Sequence, residues 1–92
     1  MPQDHPERFV VERFIPDTTE ASARTAMREL RSASERLAAT GVRVRYLGGT
    51  FVLGDEAMSC RFEGTAQAVR AVHDLAGLTL DRLLPATEVE AQ

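Results

Sequence analysis

From Asp17 to Thr40 the chain contains neither glycine nor proline, and one side of that stretch is apolar. Ala23, Met27, Leu30, Ser34 and Leu37 recur at steps of three and four, a single stripe of helical period. Arg24, Arg28, Ser32, Glu35 and Arg36 fall on the other side. Glu20/Arg24 and Arg31/Glu35 are opposite charges one turn apart, each contributing a few tenths of a kcal/mol. Asp17-Thr18-Thr19-Glu20 supplies a cap and an acidic first turn, and Gly41 is the stop. A striped helix of this length must lie on a second layer, so the remaining segments have to provide one.

They read as strands. Arg8 to Ile15 is rich in β-branched and aromatic residues and ends at Pro16. Val42 to Leu53 alternates, with Val42, Val44 and Tyr46 set against Arg43 and Arg45; Gly48-Gly49 in its middle predicts a bulge or a close backbone approach. Gly54-Asp55 turns the chain into a third strand, with Met58, Cys60 and Phe62 set against Ser59 and Arg61. Thr65 caps a second helix with Val69, Val72 and Ala76 on its apolar side, closed by Gly77. Leu78 to Val89 is a last strand, interrupted by Pro85. Residues 1–92 thus form one domain with an ordered core of about 7–89, and Met1–Pro6 and Glu90–Gln92 read as frayed ends.

The order strand, helix, strand, strand, helix, strand predicts an α+β, ferredoxin-like βαββαβ fold, a four-stranded antiparallel sheet with two helices on one face. The other face must meet water or another surface. Alternation puts Met58/Cys60/Phe62 and Val42/Val44/Tyr46 under the helices, and Arg43, Arg45, Leu47, Phe51, Ser59 and Arg61 on the open face. In the first strand Phe9/Val11/Arg13 and Val10/Glu12/Phe14 are equally mixed sets. If Phe9 and Val11 face the helices, Glu12 joins the arginines outside. Leu47, Phe51 and Phe14 exposed together would form an apolar patch, which predicts a homodimer through the open sheet face, with the two sheets curling toward a shared barrel.

Ninety-two residues with a net charge of −3 offer no general attraction to nucleic acid or to an anionic membrane surface. All eleven basic residues are arginine, which reads first as a composition bias. No stretch approaches the ~20 apolar residues of a membrane span. The single cysteine excludes an internal disulfide and a cysteine-only metal cage. Met1 to Pro6 carries no basic segment leading into an apolar run, so no signal peptide is expected and the location expected is the cytoplasm.

Short motifs carry a resemblance. Phe9-Val-Val-Glu-Arg13-Phe14, Ser59-Cys60-Arg61-Phe62, Ala66-Gln67-Ala68-Val69-Arg70 and Gly77-Leu78-Thr79-Leu80-Asp81-Arg82 resemble a family of small bacterial proteins, a domain of unknown function that includes a nickel-binding protein with a dimeric ferredoxin-like fold. The resemblance spans about residues 8 to 89 and implies that fold, a dimer and a divalent-metal ligand such as nickel. In that family the second strand often carries a tryptophan and then a histidine, and the matching positions here are Tyr46 and Gly48. Metal sites of this kind favour imidazole, and the histidines available are His5 and His73.

His73 lies at the border of the second helix's apolar stripe, where a half-buried histidine near the negative end of the dipole is the plain reading. A ligand role would need partners from another element or subunit. Cys60 and Tyr46, in apolar strand positions, read as core residues before they read as chemistry. The sharpest constellation is Glu12 with Arg45 and Arg61, flanked by Ser59 and Tyr46. It is either an ion-pair set that orients a dimer or a polar pocket in which the arginines hold an anionic or carbonyl-bearing ligand and Glu12 serves as a base. No phosphate loop, triad or paired-carboxylate spacing occurs. Three functions follow: a non-enzymatic binding protein for nickel or a related ion, a dimeric α+β-barrel enzyme or carrier for a small organic ligand, and a structural dimer module without ligand. Binding stands ahead of catalysis.

Overall fold

A computed structural model describes residues 7–52 and 54–87; His5, Leu53 and the ends assigned as frayed lie outside the described residues. The elements are β1 (Arg8–Phe14), α1 (Glu20–Ala39), β2 (Val44–Val52), β3 (Ala57–Gly64), α2 (Ala66–Ala76) and β4 (Arg82–Pro85). The sheet runs β2-β3-β1-β4 with every neighbouring pair antiparallel, which is the ferredoxin-like α+β fold. No helix among the described residues is long and apolar enough to cross a membrane.

The ends of α1 are fixed by its own residues. Thr19 Oγ1 accepts the Ser22 N–H at 3.1 Å, and Ser22 Oγ accepts the Thr19 N–H at 3.0 Å, a reciprocal cap with serine in the place usually held by Glu or Gln. At the other end Gly41 N–H donates to the Ala38 carbonyl and Val42 N–H to that of Leu37. Val42 therefore belongs to the helix stop, and β2 begins at Val44 rather than at Val42. The stripe that covers the sheet is Ala23, Leu30, Ala33 and Ser34, with Met27 and Leu37 half-buried beside it. Ser34 satisfies its hydroxyl locally on the Arg31 carbonyl at 2.8 Å. Beneath lie Phe9, Val11, Met58, Cys60 and Phe62 of the two central strands, joined by Ala68, Val69 and Val72 of α2.

The pairing of β1 with β3 resolves the tie in the first strand. Val11 lies opposite Cys60 and Phe9 opposite Phe62, so Phe9, Val11 and Arg13 face the helices, and Arg8, Val10, Glu12 and Phe14 face away. In β2 the expected bulge is present one residue early. Tyr46 is opposite Phe62 and Gly48 is opposite Arg61, so Leu47 is the extra residue. An extra residue inverts the alternation beyond it. Gly49 and Phe51 consequently fall on the helix side, opposite Cys60 and Met58, and Phe51 packs against the core. Placing Phe51 on the open face was thus incorrect.

The last strand is also shorter than expected. Residues 78–80 form a loop whose Leu78 and Leu80 pack against the core. Asp81 then ties the chain to β1: its N–H donates to the Glu12 carbonyl, and its Oδ2 accepts the Phe14 N–H at 2.7 Å. Pro85 closes β4 opposite Phe9 on an edge strand, a position where its missing N–H is tolerated.

Candidate functional site

The open face is a grid fixed by strand register. One row reads Arg45, Glu63, Arg8; the next Gly48, Arg61, Val10, Leu84; the next Thr50, Ser59, Glu12, Arg82; and Val52, Ala57 and Phe14 close it. Glu63 is shared between Arg8, at 3.2 Å, and Arg45, at 3.7 Å, while Glu12 pairs with Arg82 at 3.2 Å. Solvent-facing pairs of this kind stabilise by roughly 0–1 kcal/mol. Arg61 makes no ion pair among the described residues, and its guanidinium lies over Gly48, with Nη2 only 2.8 Å from where a β-carbon there would stand. Glu12, Ser59, Arg45 and Arg61 therefore do share one surface. Arg45 is engaged by Glu63 at its margin, and Arg61 and Glu12 sit diagonally at its centre.

Tyr46 is not on that surface. It packs edge-on against Phe62 with ring centroids 5.3 Å apart, and its hydroxyl lies 3.9 Å from Cys60 Sγ. Burial first, and then the neighbouring Cys60, pushes the phenol well above its ordinary range. The Cys60 thiol is likewise pushed up by burial, so it is an inert core group.

His73 is 1% exposed. Its Nδ1–H donates to the Val69 carbonyl at 2.8 Å, while Nε2 is buried with no hydrogen-bond partner, beside the Phe62 ring. His5 lies outside the described residues. Among the described residues, no three His, Cys, Asp or Glu side chains come together in a way that could hold a metal ion. His73 by itself does not make a nickel or zinc site: its Nδ1–H is engaged by the Val69 carbonyl and its ring packs against that of Phe62.

Burial lowers the His73 pKa, Arg13 and Arg70 lower it further, and Asp74 and the Val69 carbonyl oppose them. The ring is neutral in the fold. Below the unfolded value of about 6.5 the unfolded chain takes up a proton that the folded one refuses, so acid favours unfolding from that point down to the folded-state pKa. Stability should be flat above about pH 6.5 and fall below it, by at most ~1.4 kcal/mol per pH unit. Urea melts of the wild type and His73→Leu between pH 5 and 7.5 measure this. The variant should lose the slope, and a wild-type profile as flat as the variant's would refute it.

Arg13 is the residue that alternation alone could not assign. It is 7% exposed, opposite Met58 on the helix side, and its Nε is buried without a hydrogen-bond partner. Burial lowers its pKa, opposed from a distance by Cys60 and Asp81, neither of which forms an ion pair with it. It lines a cavity of about 180 Å³ under the start of α1, together with Ile15, Ser22, Ala23, Met58, Leu78 and Glu56. A second, more open groove of about 320 Å³ lies between α1 and β2, where Glu20 and Arg24 pair with each other at 2.8 Å. Comparison with known proteins found no matching family, no matching curated protein and no matching solved structure.

Proposed function

We propose that the protein is a non-catalytic binding module, a homodimer whose open sheet faces meet around an anionic ligand. The observation that carries this reading is the make-up of the face. It exposes Phe14 at 53% and Val52 at 40%, half-buries Val10 and Leu84, and sets four arginines against two glutamates. A two-fold axis brings a patch onto itself, so the apolar positions complement each other directly. The surplus arginines do not, and the unpaired Arg61 at the centre is the group an anion between the sheets would neutralise. Nickel, the ion the resemblance implies, would need donors beyond His73, since no three His, Cys, Asp or Glu side chains of the described residues come together.

Sedimentation at micromolar concentration should return about twice the chain mass of 10.1 kDa. Val10→Arg, which adds a further cation opposite Arg61 at the centre of the patch, should return a monomer with the wild-type circular dichroism. Raising salt from low ionic strength should tighten the wild-type dimer, since it screens like charges across the interface. A wild-type chain that stays monomeric up to ~100 µM, where even a weak dimer would populate, would discard the proposal.

A further inference from the structure

We infer that the cavity beneath the start of α1 is a second binding site, internal to one protomer, in which Arg13 holds a small monocarboxylate with an apolar tail. The site lies on the helix side of the sheet and does not depend on the dimer. Arg13 is 7% exposed as a residue, its Nε is buried without a hydrogen-bond partner, and it makes no ion pair among the described residues, a costly arrangement to leave in a fold. An acceptor within reach would remove that cost, and carboxylates match the guanidinium fork with two parallel hydrogen bonds.

The surroundings narrow the ligand. Ile15, Met58 and Leu78 make the cavity wall apolar, and about 180 Å³ exceeds the ~150 Å³ of a dry cavity that accepts benzene. That leaves room for a short chain or a single ring. The positive end of α1 lies at the same place, but Thr19 and Ser22 are already engaged with each other, so the helix contributes its field and not free donors. Glu56 lines the rim, with Oε2 accepting the Asp17 N–H. Glu56 on the rim and Asp81, whose charge reaches Arg13, set two carboxylates around one arginine, which suits at most a single negative charge on the ligand and disfavours a dianion such as phosphate.

Titration of ¹⁵N-labelled protein with benzoate and butyrate tests the site, with benzamide, butyramide and inorganic phosphate as controls. The carboxylates should shift the Arg13 Nε–H and the Met58 and Leu78 amides saturably, with dissociation constants in the millimolar range or tighter, ~1 mM being 4.1 kcal/mol. The amides and phosphate should not. Arg13→Met, near in volume and without charge, should weaken benzoate at least tenfold and leave the fold intact, since apolar replacement of a buried unpaired charge is tolerated. Should that variant fail to fold, the wild-type contrast between acid and amide decides alone. Shifts centred on Arg61, equal response to benzamide or phosphate, unchanged binding by Arg13→Met, or no shift with either acid up to ~50 mM would each overturn the assignment.

Discussion

Replacing Phe62 with alanine should lower the thermal midpoint of this protein by roughly 15–30 °C, the shift expected when ~3–5 kcal/mol is lost from a domain of this size. Phe62 is 0% exposed at the middle of β3, between Phe9 and Tyr46 on the neighbouring strands. Its ring meets the Tyr46 ring edge-on at 5.3 Å and the His73 ring at 5.5 Å. Truncation leaves a cavity bounded by a β-sheet below and α2 above, neither of which collapses easily, so the penalty belongs at the upper end for its type. A domain of 92 residues has a total stability of about 5–14 kcal/mol, so this one side chain decides whether the protein stays folded at physiological temperature. Phe62→Leu, which keeps most of the volume, should retain more than half of the lost stability. Thermal melts followed by circular dichroism measure both; a shift under ~5 °C for the alanine variant would place the centre of the core elsewhere.

The same residue shows what the sequence can and cannot disclose. Met58, Cys60 and Phe62 form an unmixed apolar set, so alternation assigns them to the covered face without help, and the stripe and caps of α1 are equally local signals. The element order then leaves few topologies. What fails is phase. Phe9/Val11/Arg13 and Val10/Glu12/Phe14 each hold two apolar residues and one charge, and only the long-range pairing of Val11 with Cys60 decides between them. By sequence Arg13 is therefore one half of a tie, although an arginine ending an apolar alternating set is a signal for a buried charge. The glycine pair announced a bulge, but the residue that bulges is Leu47, and that displacement moved Phe51 from the open face to the core. Of the polar residues expected to form a site, Glu12, Arg45, Ser59 and Arg61 share a surface because they precede the bulge or lie on strands without one. Tyr46 belongs to the core set that alternation had already indicated.

Gly64→Ala should cost about 3 kcal/mol or more, because two separate penalties fall on one methyl group. The first is conformational: Gly64 has φ +144°, a region that residues with a β-carbon adopt only under strain of ~1–3 kcal/mol. The second is steric, since a β-carbon there would stand 2.8 Å from the Arg43 carbonyl oxygen and 3.2 Å from Val44 Cα. Both obstacles are backbone, so no rotamer change relieves them, and the displacement would reach the last rung of the β2–β3 ladder, where Gly64 lies opposite Val44. It would also disturb the Gly64 N–H bond to the Glu7 carbonyl and the adjoining row in which Glu63 holds Arg8 and Arg45. Gly54→Ala separates the two penalties. That position has φ +89° but open space around a β-carbon, so only the conformational cost, about 1–2 kcal/mol, should remain. Chemical denaturation of both variants at one pH gives the difference directly. Equal losses would mean that the β2–β3 edge yields to the added methyl, and that the arginine row above it is not held in place by close backbone contact.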